Sequence, residues 1–351
     1  MAVFAGCLVL QIYFWRWRYR LISSPVAPPE KELPVSVLVC AHHAQELLAS
    51  NLPALAGQDY PDYEVVLADD GPDERTVAWV SDLKGCSAPI VYLAHKKQSS
   101  GKKPALLAAA TLASNKWLVL TDADCRPAGS NWLSSLMAHA NDKIDLVVGY
   151  APYIRKSGWL NRLIRFEACL NAVQVLSAAA SGCAYAAVGR NVACRKALLH
   201  PEALRMDLPF GDDDLLVQHY RGKIQTAACI HPESFVYTHA QNTYAAYADQ
   251  RGRHYAASRH YTYADQIWLI VYFASLAGAL FTPLFWIGSG HPILALSAWV
   301  ARYALIWPVF NAHSRTLREE DLRPWFPLME ILYVCHLALQ LPRLFFRRKH
   351  W

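Results

Sequence analysis

WLVLTDAD, residues 117–124, is an apolar run that stops on two carboxylates, Asp122 and Asp124. A short run of this kind with β-branched residues suits a strand buried on both faces. Three similar runs precede it: VSVLVC at Val35–Cys40, YEVVLA at Tyr63–Ala68 leading into Asp69-Asp70-Gly71, and Ile90–Ala94. Between them the spacing predicts helices over Glu46–Gly57, Thr76–Lys84 and Pro104–Ser114. Strand and helix alternate from residue 35 to residue 124, which predicts an α/β fold with a mostly parallel sheet covered by helices. Ligands of such sheets bind beyond the carboxyl ends of the strands. Both carboxylate pairs, Asp69/Asp70 and Asp122/Asp124, fall at those ends.

Each pair has two readings. Asp122-x-Asp124 can close a turn, or it can offer hard oxygen ligands to a Mg²⁺ or Mn²⁺ shared with phosphates. Asp69 and Asp70 can close an Asx turn, or they can accept hydrogen bonds from a base N–H or a ribose hydroxyl. Gly101-Lys102-Lys103 precedes a helix, where backbone N–H groups and ammonium charges suit an anion; the alternative is a solvated basic loop. Asp212-Asp213-Asp214 precedes Leu215-Leu216-Val217, as at a helix N-terminus, where a carboxylate can take a proton from an attacking hydroxyl. Gln250-Arg251-Gly252-Arg253-His254 supplies amide, guanidinium and imidazole donors just before the first long apolar segment.

The chain has 351 residues, with 34 Lys+Arg against 28 Asp+Glu for a net charge of +6. It is 54% hydrophobic and 18% charged, against about 25% charged for ordinary soluble domains. That composition excludes disorder and a collagenous scaffold. Nine cysteines occur without any CxxC pair, so they read as reduced thiols of a cytosolic body. The apolar residues are segregated. Ile267–Ile287 carries no charge, and Pro292–Phe310 is interrupted only by Arg302. Each is long enough to cross roughly 30 Å of hydrocarbon as a helix. Trp325–Leu341, with Glu330, His336 and Gln340, either spans or lies re-entrant, since a full crossing would put Arg343, Arg347, Arg348 and Lys349 on the wrong side. Met1–Trp15 precedes Arg16, Arg18 and Arg20, the reverse of a signal peptide's order, and reads as an uncleaved anchor with its basic flank in the cytoplasm. Trp159–Ala180 reads as an amphipathic helix, facing the core or lying at the interface.

In order and spacing these elements resemble the inverting nucleotide-sugar glycosyltransferases of family 2, membrane-associated bacterial enzymes of GT-A fold distantly similar to cellulose and hyaluronan synthases. The resemblance rests on Cys40–Glu46 after the first strand, Asp69-Asp70-Gly71, Gly101–Leu106, Thr121–Asp124, Gly189–Ala193, Gly211–Leu215 and Gln250–His254. It implies a Rossmann-like domain over 34–263, an anchor at 1–22, a linker at 23–33, a membrane region at 264–342 and a basic tail at 343–351. It also implies that Asp212 is the catalytic base and that Asp122 and Asp124 hold the metal, Mg²⁺ or Mn²⁺. Ala41, His43, Glu46, Asp69, Asp70, Lys102, Lys103 and Asp122 would bind the nucleotide-sugar. Asp213, Asp214, Gln250, Arg253 and His254 would serve the acceptor or diphosphate. The expected partners are a nucleotide-diphosphate sugar (a UDP-sugar first), a lipid-linked or glycan acceptor and the bilayer, with no nucleic acid. The expected location is the inner (plasma) membrane, multi-pass, with the catalytic domain cytoplasmic. Departures are specific: His43 and Ala44 replace the family's Asn and Glu, Gly211 replaces Glu, and His254 stands where Trp is usual. The last of these bears on acceptor type and processivity. A processive synthase and a non-catalytic scaffold with a degenerate nucleotide-binding fold are the alternatives.

Overall fold

The computed structural model describes residues 1–21, 32–72, 74–83, 86–96 and 101–345. Most of the 23–33 linker and most of the 343–351 tail lie outside the described residues. The strands are β1 (Val35–Ala41), β2 (Tyr63–Asp70), β3 (Ile90–His95), β4 (Trp117–Asp122), β5 (Arg126–Pro127), β6 (Leu146–Gly149), β7 (Val192–Arg195), β8 (Thr226–Cys229) and β9 (Val236–Tyr237). The first helices are α1 (Ala2–Tyr13), α2 (Gln45–Ala56), α3 (Glu74–Asp82), α4 (Lys103–Leu112), α5 (Trp132–Met137) and α6 (Trp159–Ala180). After them come α7 (Pro201–Leu204), α8 (Asp214–His219), α9 (Tyr244–Ser258), α10 (Tyr263–Gly288), α11 (Pro292–Thr316) and α12 (Phe326–Phe345). The chain forms two compact units, one of residues 22–154 and 178–239 and one of residues 1–21, 155–177 and 240–348.

The first unit is α/β. Seven strands pair in the order β3-β2-β1-β4-β7-β6-β8, and β5 pairs separately with β9. The β1–β2, β2–β3, β1–β4 and β6–β8 pairs are parallel, while β7 runs antiparallel to both β4 and β6. Every residue of β2 is buried and β1 nearly so, because helices cover both faces. Val37, Val39, Val65 and Val119 pack in the core with Leu52 of α2 and Trp132 of α5. Glu64, buried near the start of β2, is satisfied: it accepts from the Ser36 hydroxyl at 2.6 Å and from the Ser114 backbone N–H at 2.6 Å. The four leading strands and their helices match the sequence expectation to within a residue or two. The antiparallel β7 and the strands around it were not anticipated, since VACR at 192–195 has no length or period to mark it.

The second unit is helical. Three helices of the described residues are long and apolar enough to cross a membrane: α6, α10 and α11. Their surroundings separate them. The apolar window of α6 is 83% buried, against 33% for α10 and 28% for α11. Thus α6 is a core helix, while α10 and α11 leave Ile267, Ile270, Phe285, Ile293 and Leu296 exposed. The N-terminal stretch is helical over α1 and continues as a π-turn at Phe14–Arg18, short of that length. It lies along α10, where Gln11 donates to the Ser275 hydroxyl at 2.7 Å and Phe4 meets the Trp286 ring edge-on. The last apolar segment forms α12, with Glu330, His336 and Gln340 buried on one side and Leu328, Ile331 and Leu339 exposed on another.

Candidate active site

Two glycines set the geometry. Gly101 and Gly211 both have left-handed backbone, with φ 89 and φ 72, and each stands one residue before a charged side chain. A Cβ at Gly101 would run into the Pro209 carbonyl, so the two turns approach as only glycine allows. That approach joins Lys102 to Asp212. The Lys102 ammonium donates to Asp122 Oδ1 at 2.7 Å and lies 3.0 Å from Asp212 Oδ2. Burial opposes the Lys102 charge, but Asp122 and Asp212 outweigh it and raise its pKa well above the ordinary value. Burial and the neighbouring Asp124 raise the Asp122 carboxyl, with Lys102 pulling the other way. One ammonium therefore balances two carboxylates from different turns.

Asp124 lies across the same turn. Its Oδ2 accepts from the buried Thr238 hydroxyl at 2.8 Å, and the Cys125 thiol is 3.4 Å from its Oδ1. Asn51 of α2 pins the turn by donating to the Ala123 carbonyl at 3.0 Å. Asp122, Asp124 and Cys125 bring ligand atoms within 4.8 Å of one another, which is a metal-sized grouping. Burial raises the Cys125 thiol well above its usual range, with Asp122 and Asp124 adding to that. Paired hard oxygens fit Mg²⁺ or Mn²⁺. Arg190 adds positive charge here: its guanidinium lies over the Tyr153 ring at 4.7 Å, and Asp124 and Asp122 help hold its charge against burial.

A cavity of about 370 Å³ opens where β1 and β2 end, lined by His43, Glu46, Asp69, Gly71 and Thr76 among others. Asp69 pairs in register with Ala41, and Asp122 with Cys40, one strand on either side of β1. Two strand spacings of about 4.8 Å put the backbones of the two aspartates roughly 10 Å apart. Asp69 accepts from Tyr92 Oη at 2.9 Å. Asp70 turns instead to His95 Nδ1 at 2.7 Å, and its carbonyl meets the His42 ring.

Lys103 takes a different hydrogen-bond partner from Lys102. It is buried and donates to the Arg205 carbonyl at 3.0 Å. Asp213 caps α8, accepting from Gly189 N–H and Asp214 N–H at 2.8 Å each, while Asp214 accepts from Ala187 N–H at 3.3 Å. Those two carboxylates tie α8 to the 187–189 loop. Gln250, Arg253 and His254 lie on α9 of the helical unit. Arg251 of the same helix pairs with Glu167 at 2.8 Å. Sequence reasoning passed over Asn51, Tyr92, His95 and Thr238, for which no local pattern exists. Arg190, by contrast, stood inside the quoted Gly189–Ala193 stretch.

Residues 36–185 match the family model described as Glycosyl transferase family 2. No curated protein sequence matches the chain. Among solved structures, the mannosyltransferase PcManGT from Pyrobaculum calidifontis, in complex with GDP-Man and Mn²⁺, is similar over 97% of this chain and 96% of its own. Its sequence identity is 18% and its TM-score 0.59. S. aureus TarS 1–349 is similar over 88% of this chain and 90% of its own, at 13% identity and a TM-score of 0.43. At 18% identity the likeness to the P. calidifontis protein is one of fold.

Proposed function

A glycosyl transferase family 2 domain of GT-A fold lies in this chain, and from that premise we propose a membrane-bound, inverting enzyme. It transfers a sugar from a nucleotide-diphosphate donor to a hydroxyl of a membrane-proximal or lipid-linked acceptor. The observation that carries this reading is the Lys102 ammonium, in contact at once with Asp122 and Asp212. A carboxylate of the metal-sized grouping and a candidate base thus flank one ammonium.

Asp124, with Asp122 beside it, would hold Mg²⁺ or Mn²⁺; the P. calidifontis complex contains Mn²⁺ and GDP-Man, which supports that assignment. When bound, such an ion neutralises charge developing on a leaving diphosphate. Asp69 accepts a hydrogen bond from the base or ribose in the cavity that His43 and Glu46 line. Lys102 offers its charge to the diphosphate. Asp212 takes the proton from the acceptor hydroxyl, whose oxygen then forms the new bond to the anomeric carbon as the bond to the diphosphate breaks. A single displacement needs one base and no enzyme nucleophile, and it inverts the anomeric centre. Gln250, Arg253 and His254 keep an acceptor-side role by resemblance alone. The basic flank at Arg16, Arg18 and Arg20 supports a cytoplasmic catalytic domain at the inner membrane.

The test is nucleotide release by the purified full chain with UDP-, GDP- and dTDP-sugars and a lipid extract. Asp212→Asn and Asp124→Ala are each expected to lower turnover by at least a hundredfold, with Asp212→Asn retaining metal-dependent donor binding. Wild-type turnover in both variants contradicts the reading.

A further inference from the structure

Within the helical unit, an open cavity of about 250 Å³ is lined by Arg155, Lys156, Ser157, Arg162, Asp321 and Trp325. It plays no part in the chemistry above. Its only acidic lining group is already neutralised: Asp321 accepts from Arg165 Nη1 at 2.8 Å and Nη2 at 2.6 Å, and Arg155 Nε lies 3.0 Å from its Oδ2. Arg165 also holds Glu319. These named groups set four cations against two carboxylates. Lys156 and Arg162 have no carboxylate partner among the described residues. Arg162 Cζ lies over the Trp325 ring, 4.7 Å from its centroid, which holds the guanidinium at the cavity wall without neutralising it.

The position of the cavity identifies what it faces. Asp321 and Trp325 belong to the 3₁₀ turn Glu320–Trp325 joining α11 to α12. That turn follows the end of α11 at which His313, Arg315, Arg318 and Arg323 gather, whereas the other end of the helix has only His291. A basic helix end next to an apolar span marks the cytoplasmic headgroup level. Trp159 and Trp325 are 55% and 39% exposed there, as amphipathic rings are at a membrane interface. Drug-sized ligands occupy roughly 300–1,000 Å³, so the cavity is too small for a nucleotide-sugar but suited to a phosphate group with part of its ester.

We propose that this cavity binds the phosphate of an anionic lipid headgroup, with Lys156, Arg162 and Arg155 as its cationic contacts. The site rests on the membrane reading of α10 and α11 and is independent of the transferase reading. Basic pockets at the cytoplasmic ends of spans recognise headgroups in this way, each Lys or Arg near the surface contributing on the order of a fivefold change in affinity.

The full chain, purified in neutral detergent, is titrated with phosphatidylglycerol, phosphatidylcholine and inorganic phosphate, and apparent affinity is read from the melting temperature. Phosphatidylglycerol is expected to stabilise the wild type at concentrations where phosphatidylcholine does not. Lys156→Gln and Arg162→Gln should each weaken that effect about fivefold, and the double variant roughly twenty-five-fold. Lys156 is exposed, so its variant tests the site even if Arg162→Gln disturbs packing against Trp325. Unchanged lipid binding in both variants overturns the proposal. So does inorganic phosphate bound as tightly as the lipid, which leaves the bilayer no role. Flotation of the wild type with phosphatidylcholine liposomes tests the membrane reading separately, and failure to float removes the premise. Nucleotide release is unaffected by either of these results.

Discussion

Lys102 meets two carboxylates at the rim of the sheet, while Lys103, the next residue, is 2% exposed with a backbone carbonyl as its hydrogen-bond acceptor. Burial lowers the Lys103 pKa from 10.5 to about 8, only partly offset by Asp212 and Asp207. The sign of the linkage follows. Below about pH 8 the lysine is charged in both folded and unfolded chains, and the cost of burying that charge is fully present. Between about pH 8 and pH 10.5 the unfolded chain holds a proton that the folded chain has lost, so this group adds stability as pH rises. The gain is on the order of 3 kcal/mol. Lys103→Met is expected to raise stability at pH 7 and to remove this alkaline rise, read by denaturant melts at pH 7 and 9.5. An unchanged pH profile contradicts the assignment. Neither lysine's environment could be read from the Gly-Lys-Lys spacing, because adjacent side chains at a helix start diverge and their partners come from distant turns.

At the scale of elements, one side chain links three segments around the sheet's second half. Asn191, wholly buried just before β7, accepts from Trp132 Nε1 at 3.0 Å and donates to the carbonyls of Tyr150 and Ser234 at 2.8 and 2.7 Å. It thereby ties α5, the end of β6 and the segment before β9 together. Gly149 lies against it so closely that a Cβ there would collide with the amide. Asn191→Ala should cost roughly 3 kcal/mol or more, because it strands several buried polar groups at once. A thermal melt showing a loss under about 1 kcal/mol rules out this hub role. The first half of the sheet was legible because each strand is a continuous apolar run, the mark of burial on both faces. In the second half β6, β7 and β8 span four residues each, too short for a period, and their order depends on contacts such as those of Asn191. The candidate site divides in the same way. Aspartates at strand ends stand out in the sequence, whereas Thr238 and Asn51, which orient Asp124 and its turn, resemble any other polar residue.

At the scale of the whole molecule, Arg302 has a structural explanation. Its guanidinium forms a two-pronged pair with Glu330, Nη1 to Oε2 at 2.7 Å and Nη2 to Oε1 at 2.8 Å, joining α11 to α12. Both side chains are essentially inaccessible, so each charge is tolerated only with the other present. Arg302→Met alone is expected to cost about 3–5 kcal/mol, and Arg302→Met with Glu330→Leu to recover most of that loss. Thermal stability of the detergent-solubilised chain reads both, and a double variant as damaged as the single contradicts the pairing.

Local chemistry was enough to determine the alternating elements, the acidic strand ends and the apolar spans. Burial selects residue types at fixed periods, and that selection is written into neighbouring positions. Which aspartates share a cation, which lysine is buried and which arginine meets Glu330 were decided only by the tertiary structure. Those pairings join residues far apart in the chain, brought together by sheet order, left-handed glycines and helix packing that no short stretch encodes.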